Sequence, residues 1–218
     1  MSGILKMSRN IIALWFIIFY VCIQSCGIQQ MMSLDVYNYS DVEIESISNL
    51  EEVLDTQEYA VLSAVVDSIY SGWEIESVVV YPITNPGAYG HPVYYLRDHH
   101  NWSDFQARRD WKKKNKNQSY TLLANHFTSK NEVYLYDEDK ISQVAKPKLT
   151  GWEAFYNAYP NSQGLLRFSR VGFNNQNTVA MIYIESQSYL MNGFGEIIKL
   201  VKIENKWVIA DRIHLWMS

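Results

Sequence analysis

Residues 165–216 read LLRFSRVGFNNQNTVAMIYIESQSYLMNGFGEIIKLVKIENKWVIADRIHLW, and the pattern of this stretch decides the fold class. Four strand-like runs stand in it: Leu165 to Phe173, Thr178 to Ser186, Glu196 to Ile203 and Trp207 to Trp216. They are rich in β-branched and aromatic residues and bounded by turn formers. Asn174-Asn175-Gln176-Asn177 joins the first two and Glu204-Asn205-Lys206 the last two, both good hairpin connectors. A three-residue loop in the last hairpin pairs Val201 with Ile209 and sets Lys199 opposite Asp211, whereas a two-residue loop sets Lys199 against Arg212. Charge favours the first register. The expectation is an antiparallel β-meander sheet.

Upstream, helical signals alternate with short strands, which makes the expected class α+β with two to four helices packed on one face of the sheet. Ser48-Asn49-Leu50-Glu51 has the form of a capping box, and Tyr59, Leu62, Val66 and Ile69 follow at helical spacing, with Val65 and Tyr70 widening the stripe. Ser71-Gly72 stops this helix, and the β-branched run Ser77-Val78-Val79-Val80-Tyr81 reads as a buried strand bounded by Pro82. Ser103 with Gln106 predicts a second capped helix through Phe105 and Trp111 to about Lys114. Glu132 to Tyr136 predicts a strand, and Tyr120 to Phe127 fits either state. Thr150-Gly151-Trp152-Glu153 opens a short aromatic helix (WEAFYNAY) that Pro160 follows and Gly164 unwinds. The packing expected of these elements is NTF2-like or cystatin-like.

The N-terminus has a separate character. Lys6 and Arg9 form a short positive region with no acid before Asp35, and Ile11 to Ile23 (IIALWFIIFYVCI) carries no charge. Thirteen helical residues span about 20 Å, short of the roughly 30 Å hydrocarbon layer, so the segment fits a signal-peptide core better than a membrane span. Ile23-Gln24-Ser25-Cys26-Gly27 resembles the lipobox of bacterial lipoproteins, with an aliphatic residue at −3 and a small one at −1 before the cysteine. The resemblance implies that Cys26 is lipidated and begins the mature chain. The competing reading is an uncleaved anchor helix that ends in Ser-Cys. The expected organisation is a signal peptide over 1–25, a lipidated tether over 26–50 and one α+β domain over 51–218. With Cys26 carrying lipid, no internal disulfide forms. Loss of Lys6 and Arg9 takes the formal charge from −4 to −6, which argues against nucleic acid as a partner.

Trp152 to Ser218 resembles a group of uncharacterised bacterial secreted proteins and lipoproteins. The residues that carry the likeness are Phe155, Tyr159-Pro160-Asn161-Ser162-Gln163-Gly164, Ser169-Arg170-Val171-Gly172-Phe173-Asn174, Gly193 with Gly195, Lys206-Trp207 and the ending Trp216-Met217-Ser218. The resemblance implies a bacterial, exported, one-domain α+β protein. It brings no catalytic residue.

Candidate chemistry is sparse. In Asp98-His99-His100, His99 and His100 are candidate metal ligands, with Asp98 or His91 to complete a set. Adjacent histidines do not have the i, i+2 or i, i+4 spacing that aims two rings at one ion, and polar clusters are common before a helix. Ser169 and Arg170 are candidate ligand-binding residues. Strand alternation places Leu166, Phe168 and Arg170 on one face and Arg167, Ser169 and Val171 on the other. Arg170 suits bidentate binding of an anion, and equally suits a structural role fixing the aromatic helix through its carbonyls. Ser169 has no G-x-S-x-G around it. Arg108 to Lys116 holds six cations against Asp110 alone, a surface for anionic lipid or polyanionic glycan or simply a solvated helix end. Gly193-Phe194-Gly195 lacks the setting of a dinucleotide loop and reads as a bend in a sheet. Most of the 16 Tyr and 7 Trp are expected in the core.

No catalytic residue and no cofactor is assigned. The expected function is a non-enzymatic binding module of the bacterial envelope, held to membrane lipid through Cys26. The outer membrane is favoured over the inner, the domain lies outside the cytoplasm, and the partner is an unidentified protein or small ligand. The alternatives are a metal-dependent or hydrolytic enzyme using the Asp98-His99-His100 loop, and a structural scaffold.

Overall fold

The computed structural model describes residues 54–71, 75–84, 104–116, 119–145, 151–189 and 192–218. The signal and lipobox region, the tether, the Ser48–Glu51 box, His91, Asp98-His99-His100, Ser103 and Thr150 lie outside them.

The domain is α+β. Helix α1 (Thr56–Ile69) opens on Asp55, whose carboxylate accepts the Gln57 N–H at 3.1 Å. Its buried side carries Tyr59, Leu62, Val65 and Val66 of the stripe read from the sequence, together with Val61, while Ile69 and Tyr70 of that stripe are half-buried. Strand β1 (Ser77–Val80) follows, with all four residues buried. Helix α2 (Phe105–Lys114), strand β2 (Glu132–Leu135), and helices α3 (Glu138–Val144) and α4 (Gly151–Ala158) come next. Strands β3 (Ser162–Phe168), β4 (Gly172–Phe173), β5 (Val179–Gln187), β6 (Gly193–Ile203) and β7 (Lys206–Met217) complete the chain.

The sheet order is β2-β1-β3-β5-β6-β7, with β4 beside β5. Antiparallel pairing holds from β3 to β7, but β1 runs parallel to both β2 and β3. The sheet is therefore mixed, which corrects the expected meander. The physical reason lies in β1: an unbroken Ser-Val-Val-Val run, covered on both faces, suits the interior of a parallel set.

Helices on one face is the second correction. Ala180, Ile182, Ile184, Ile198 and Leu200 point to the cluster beneath α1. Their alternating neighbours Met181, Tyr183 and Ile197 pack with Ala107 and Trp111 of α2. Val79 and Leu165 pack with Trp152, Phe155 and Tyr159 at and just beyond α4. Apolar side chains thus leave both faces, and each needs a cover; a fully buried Leu or Ile is worth about 1.5–3 kcal/mol. Among the described residues, no helix is long and apolar enough to cross a membrane.

Three local readings change. Asp104 caps α2 in place of Ser103, accepting the N–H groups of Gln106 and Ala107 at 2.8 and 3.1 Å. Gly164 lies within β3 at φ 117°, where a side chain would strike the Gln187 carbonyl, so it shapes an irregularity in the strand instead of unwinding the helix. In the last hairpin Lys199 does oppose Asp211, but Val201 pairs with Val208. The turn is Glu204-Asn205, both at positive φ (47° and 63°), as a tight primed turn requires. An irregularity between Lys199 and Leu200 restores the charge pairing.

Gly172 positions the next feature. A Cβ there would meet the Ala107 carbonyl and the Trp111 backbone, so only glycine lets α2 settle directly on β4.

Candidate functional site: a cationic cleft above a buried ion pair

Glu58 is in the first turn of α1 and is 1% exposed. A carboxylate so deep needs every lone pair occupied. Arg170 supplies a side-on pair, Nε to Oε2 at 2.9 Å and Nη2 to Oε1 at 2.6 Å, and the Val171 N–H donates to Oε2 at 3.0 Å. Lys114 Nζ stands 3.5 Å from Oε1. The Arg170 guanidinium also lies 3.9 Å from the centroid of the Tyr120 ring. Burial pushes the Arg170 pKa down, but hydrogen bonding and charge from Glu58, with help from Tyr120, outweigh it and leave the pKa raised.

The backbone around Arg170 is clamped as well. Chain alternation fails here because β3 ends at Phe168 and β4 begins at Gly172. Val171 consequently joins Leu166 and Phe168 in the cluster beneath α1, a correction to the expected split of faces. Ser169 Oγ accepts the Trp111 Nε1–H and the Tyr183 N–H, each at 2.9 Å, and donates to the Arg170 carbonyl at 2.9 Å. Asn115, the residue that ends α2, accepts the Arg170 N–H at 2.8 Å and donates Nδ2–H to the Arg170 carbonyl at 3.0 Å. Ser169 and Arg170 thus come together with Trp111, Asn115 and Glu58, each engaged by groups of the fold.

A cleft of about 830 Å³ opens beside this network. Its floor is Asp110, Lys114 and Phe173. Lys114 Nζ donates to the Val171 carbonyl at 3.0 Å, pairs with Asp110 at 3.1 Å and lies over the Phe173 ring. Asp110 in turn accepts the Phe173 N–H at 2.9 Å. One wall is the outer side of α2, with Phe105, Gln106, Arg109 and Lys113, all exposed. The facing wall is the β4–β5 turn, where Asn174 Oδ1 accepts the N–H groups of Thr178 and Val179 and Asn177 adopts φ 52°. Gln106 Oε1 accepts the Asn175 N–H at 3.1 Å and links the walls. Asp55, the cap of α1, completes the rim.

The basic run of α2 therefore divides by direction. Lys114 turns inward to the buried ion pair, while Arg109 and Lys113, one turn apart, face the cleft. The metal candidates His99 and His100 lie outside the described residues. Among the described residues no group of three or more His, Cys, Asp and Glu is placed to hold a metal ion.

Sequence reading missed Glu58, Asn115 and the cleft-forming roles of Asp110 and Phe105. Glu58 left one signal: at i, i+4 and i, i+7 it shares the face of Leu62 and Val65, an acid on an apolar stripe.

Replacing Glu58 by Gln leaves the Arg170 guanidinium without a counter-charge. The expected loss is about 3–5 kcal/mol, as for other broken buried pairs, read as a lower midpoint in urea denaturation. An unchanged midpoint would mean the pair does not hold the fold. Compared with known proteins, the chain matches no family model, no curated protein and no solved structure.

Proposed function

We propose that this chain is a non-enzymatic binding protein of the bacterial envelope, exported and tethered to membrane lipid through Cys26, whose cleft beside α2 takes an anionic ligand. The observation that carries the reading is the cleft itself. Its volume, about 830 Å³, lies in the range of small-molecule sites. Arg109 and Lys113 present charge into it, on a chain whose formal net charge is −4. Local positive charge on an acidic body favours a defined anion over a long polyanion such as nucleic acid.

A binding role is favoured over catalysis because the carboxylates of the cleft serve the backbone. Asp55 caps α1 through the Gln57 N–H, and Asp110 holds the Phe173 N–H and Lys114. Neither stands ready as a general base beside a nucleophile. The lipobox-like Ile23-Gln24-Ser25-Cys26 supports the envelope address, the outer membrane in preference to the inner, with the domain outside the cytoplasm. In the same spirit the C-terminal likeness to bacterial secreted proteins and lipoproteins supports export. For architecture we favour an NTF2-like or cystatin-like relation, supported by helix α1, whose buried side chains share one core cluster with residues of β3, β5, β6 and β7.

Two measurements test this. Labelling with radioactive palmitate should mark the wild-type chain and not Cys26→Ser; equal labelling would contradict the anchor. A thermal-shift screen of the full chain against small anions, acidic and neutral glycans, peptidoglycan fragments and divalent metals tests the cleft. A ligand at about a hundred times its dissociation constant adds roughly 2.7 kcal/mol, a shift of about 5–10 °C for a domain of this size. Only anionic compounds should produce it, and Arg109→Glu with Lys113→Glu should abolish it. A shift that survives the charge reversal would move the binding site elsewhere.

A further inference from the structure

Resting on the anion-binding reading of the cleft, we infer that its ligand is an acidic saccharide: sugar units bearing carboxylates, bound with a ring over Phe105 and the carboxylates on Arg109 and Lys113. Size is the first argument. An inorganic anion occupies little more than the share of one or two water molecules, roughly 30 Å³ each, against a cleft of about 830 Å³.

The donors available form the second. Phosphate is most readily held by free N–H groups at helix N-termini. Both helix starts near this cleft already carry a capping carboxylate, whose charge opposes a phosphate: Asp104 takes the N–H groups of Gln106 and Ala107, and Asp55 takes that of Gln57. What remains is a guanidinium and an ammonium one helical turn apart. The guanidinium fork matches carboxylate and phosphate alike, so the preference for carboxylates rests on the capped helix starts and on the size of the cleft.

Third, the remaining lining suits hydroxyl groups and a ring. Gln106, Asn175 and Asn177 are exposed side-chain amides on the two walls, and each amide both donates and accepts, as a hydroxyl requires. Phe105 is 75% exposed at the first position of α2 and lines the same cleft. An aromatic face left open beside amides offers a flat apolar surface for the C–H side of a pyranose. An acidic peptide is the less favoured occupant, because the β4 edge beside the cleft is already engaged by side chains: Asp110 accepts the Phe173 N–H and Lys114 donates to the Val171 carbonyl.

The test is calorimetric titration of the full chain in detergent with trigalacturonate, its methyl-esterified neutral form, inorganic phosphate, glycerophosphoglycerol as a soluble lipid headgroup, and tetra-aspartate. Trigalacturonate should bind at least about tenfold more tightly than each of the others. Arg109→Gln with Lys113→Gln should remove that preference over the neutral ester. Phe105→Ala should weaken trigalacturonate several-fold and leave phosphate unchanged. If phosphate, the headgroup or tetra-aspartate binds as tightly as trigalacturonate, and the charge substitutions weaken it, the anion cleft stands and the saccharide is wrong. If no compound binds in a way that responds to Arg109 and Lys113, both readings fall.

Discussion

One buried carboxylate sets the arrangement of this domain. Removing a charge from water costs several kcal/mol even after the protein relaxes, and Glu58 recovers that cost through the side-on Arg170 pair and the Val171 N–H, with Lys114 nearby. These partners belong to different pieces of chain. Glu58 comes from α1 beneath one face of the sheet, Arg170 and Val171 from the break between β3 and β4, and Lys114 from the last turn of α2. Satisfying one acid therefore fixes the relation between two helices and a strand interruption. Loss of Arg170 leaves the Glu58 carboxylate, 1% exposed, without its closest counter-charge.

The interruption is itself built to be held. A continuous strand would send Arg170 and Val171 to opposite faces, yet Val171 and the Glu58-paired Arg170 both turn toward α1. Ser169 and Asn115 occupy the polar backbone groups that the missing ladder leaves open. On the far side, α2 lies against Gly172 without an intervening side chain. With α2 pinned at its end by Lys114 and Asn115, its outer residues face the β4–β5 turn, and the cleft is the space between. Because Lys114 is drawn inward to Glu58 and the Val171 carbonyl, Arg109 and Lys113 of the same helix are held facing the cleft.

Much of this was legible in the chain and some was not, for reasons that differ by element. The α1 stripe and the buried β1 run were readable because period and β-branching agree with burial there. The parallel pairing of β1 was not, since its neighbours β2 and β3 come more than fifty residues later in the chain. Helix α3 was missed because a seven-residue helix offers only Ile141 and Val144 as apolar signal, although Asp137 caps it. Lys199 opposite Asp211 was foreseen from charge, while the turn that achieves it differs, because a local irregularity shifts register where a simple count of loop residues cannot. At the candidate site, Arg170 drew notice as a cation among apolar residues. Its partner lies 112 positions away, a separation that spacing within one sequence cannot bridge, so the pairing became visible only in the fold.

The central claim is that the Glu58 network holds α2 against the sheet. Amide hydrogen exchange in Arg170→Met, followed by mass spectrometry, tests it most directly. The account predicts that protection is lost first over Phe105–Lys114 and residues 171–173, while β5 and β6 exchange slowly until the whole domain opens. Exchange over α2 that matches the wild-type chain, or that rises only together with β5 and β6, would contradict it.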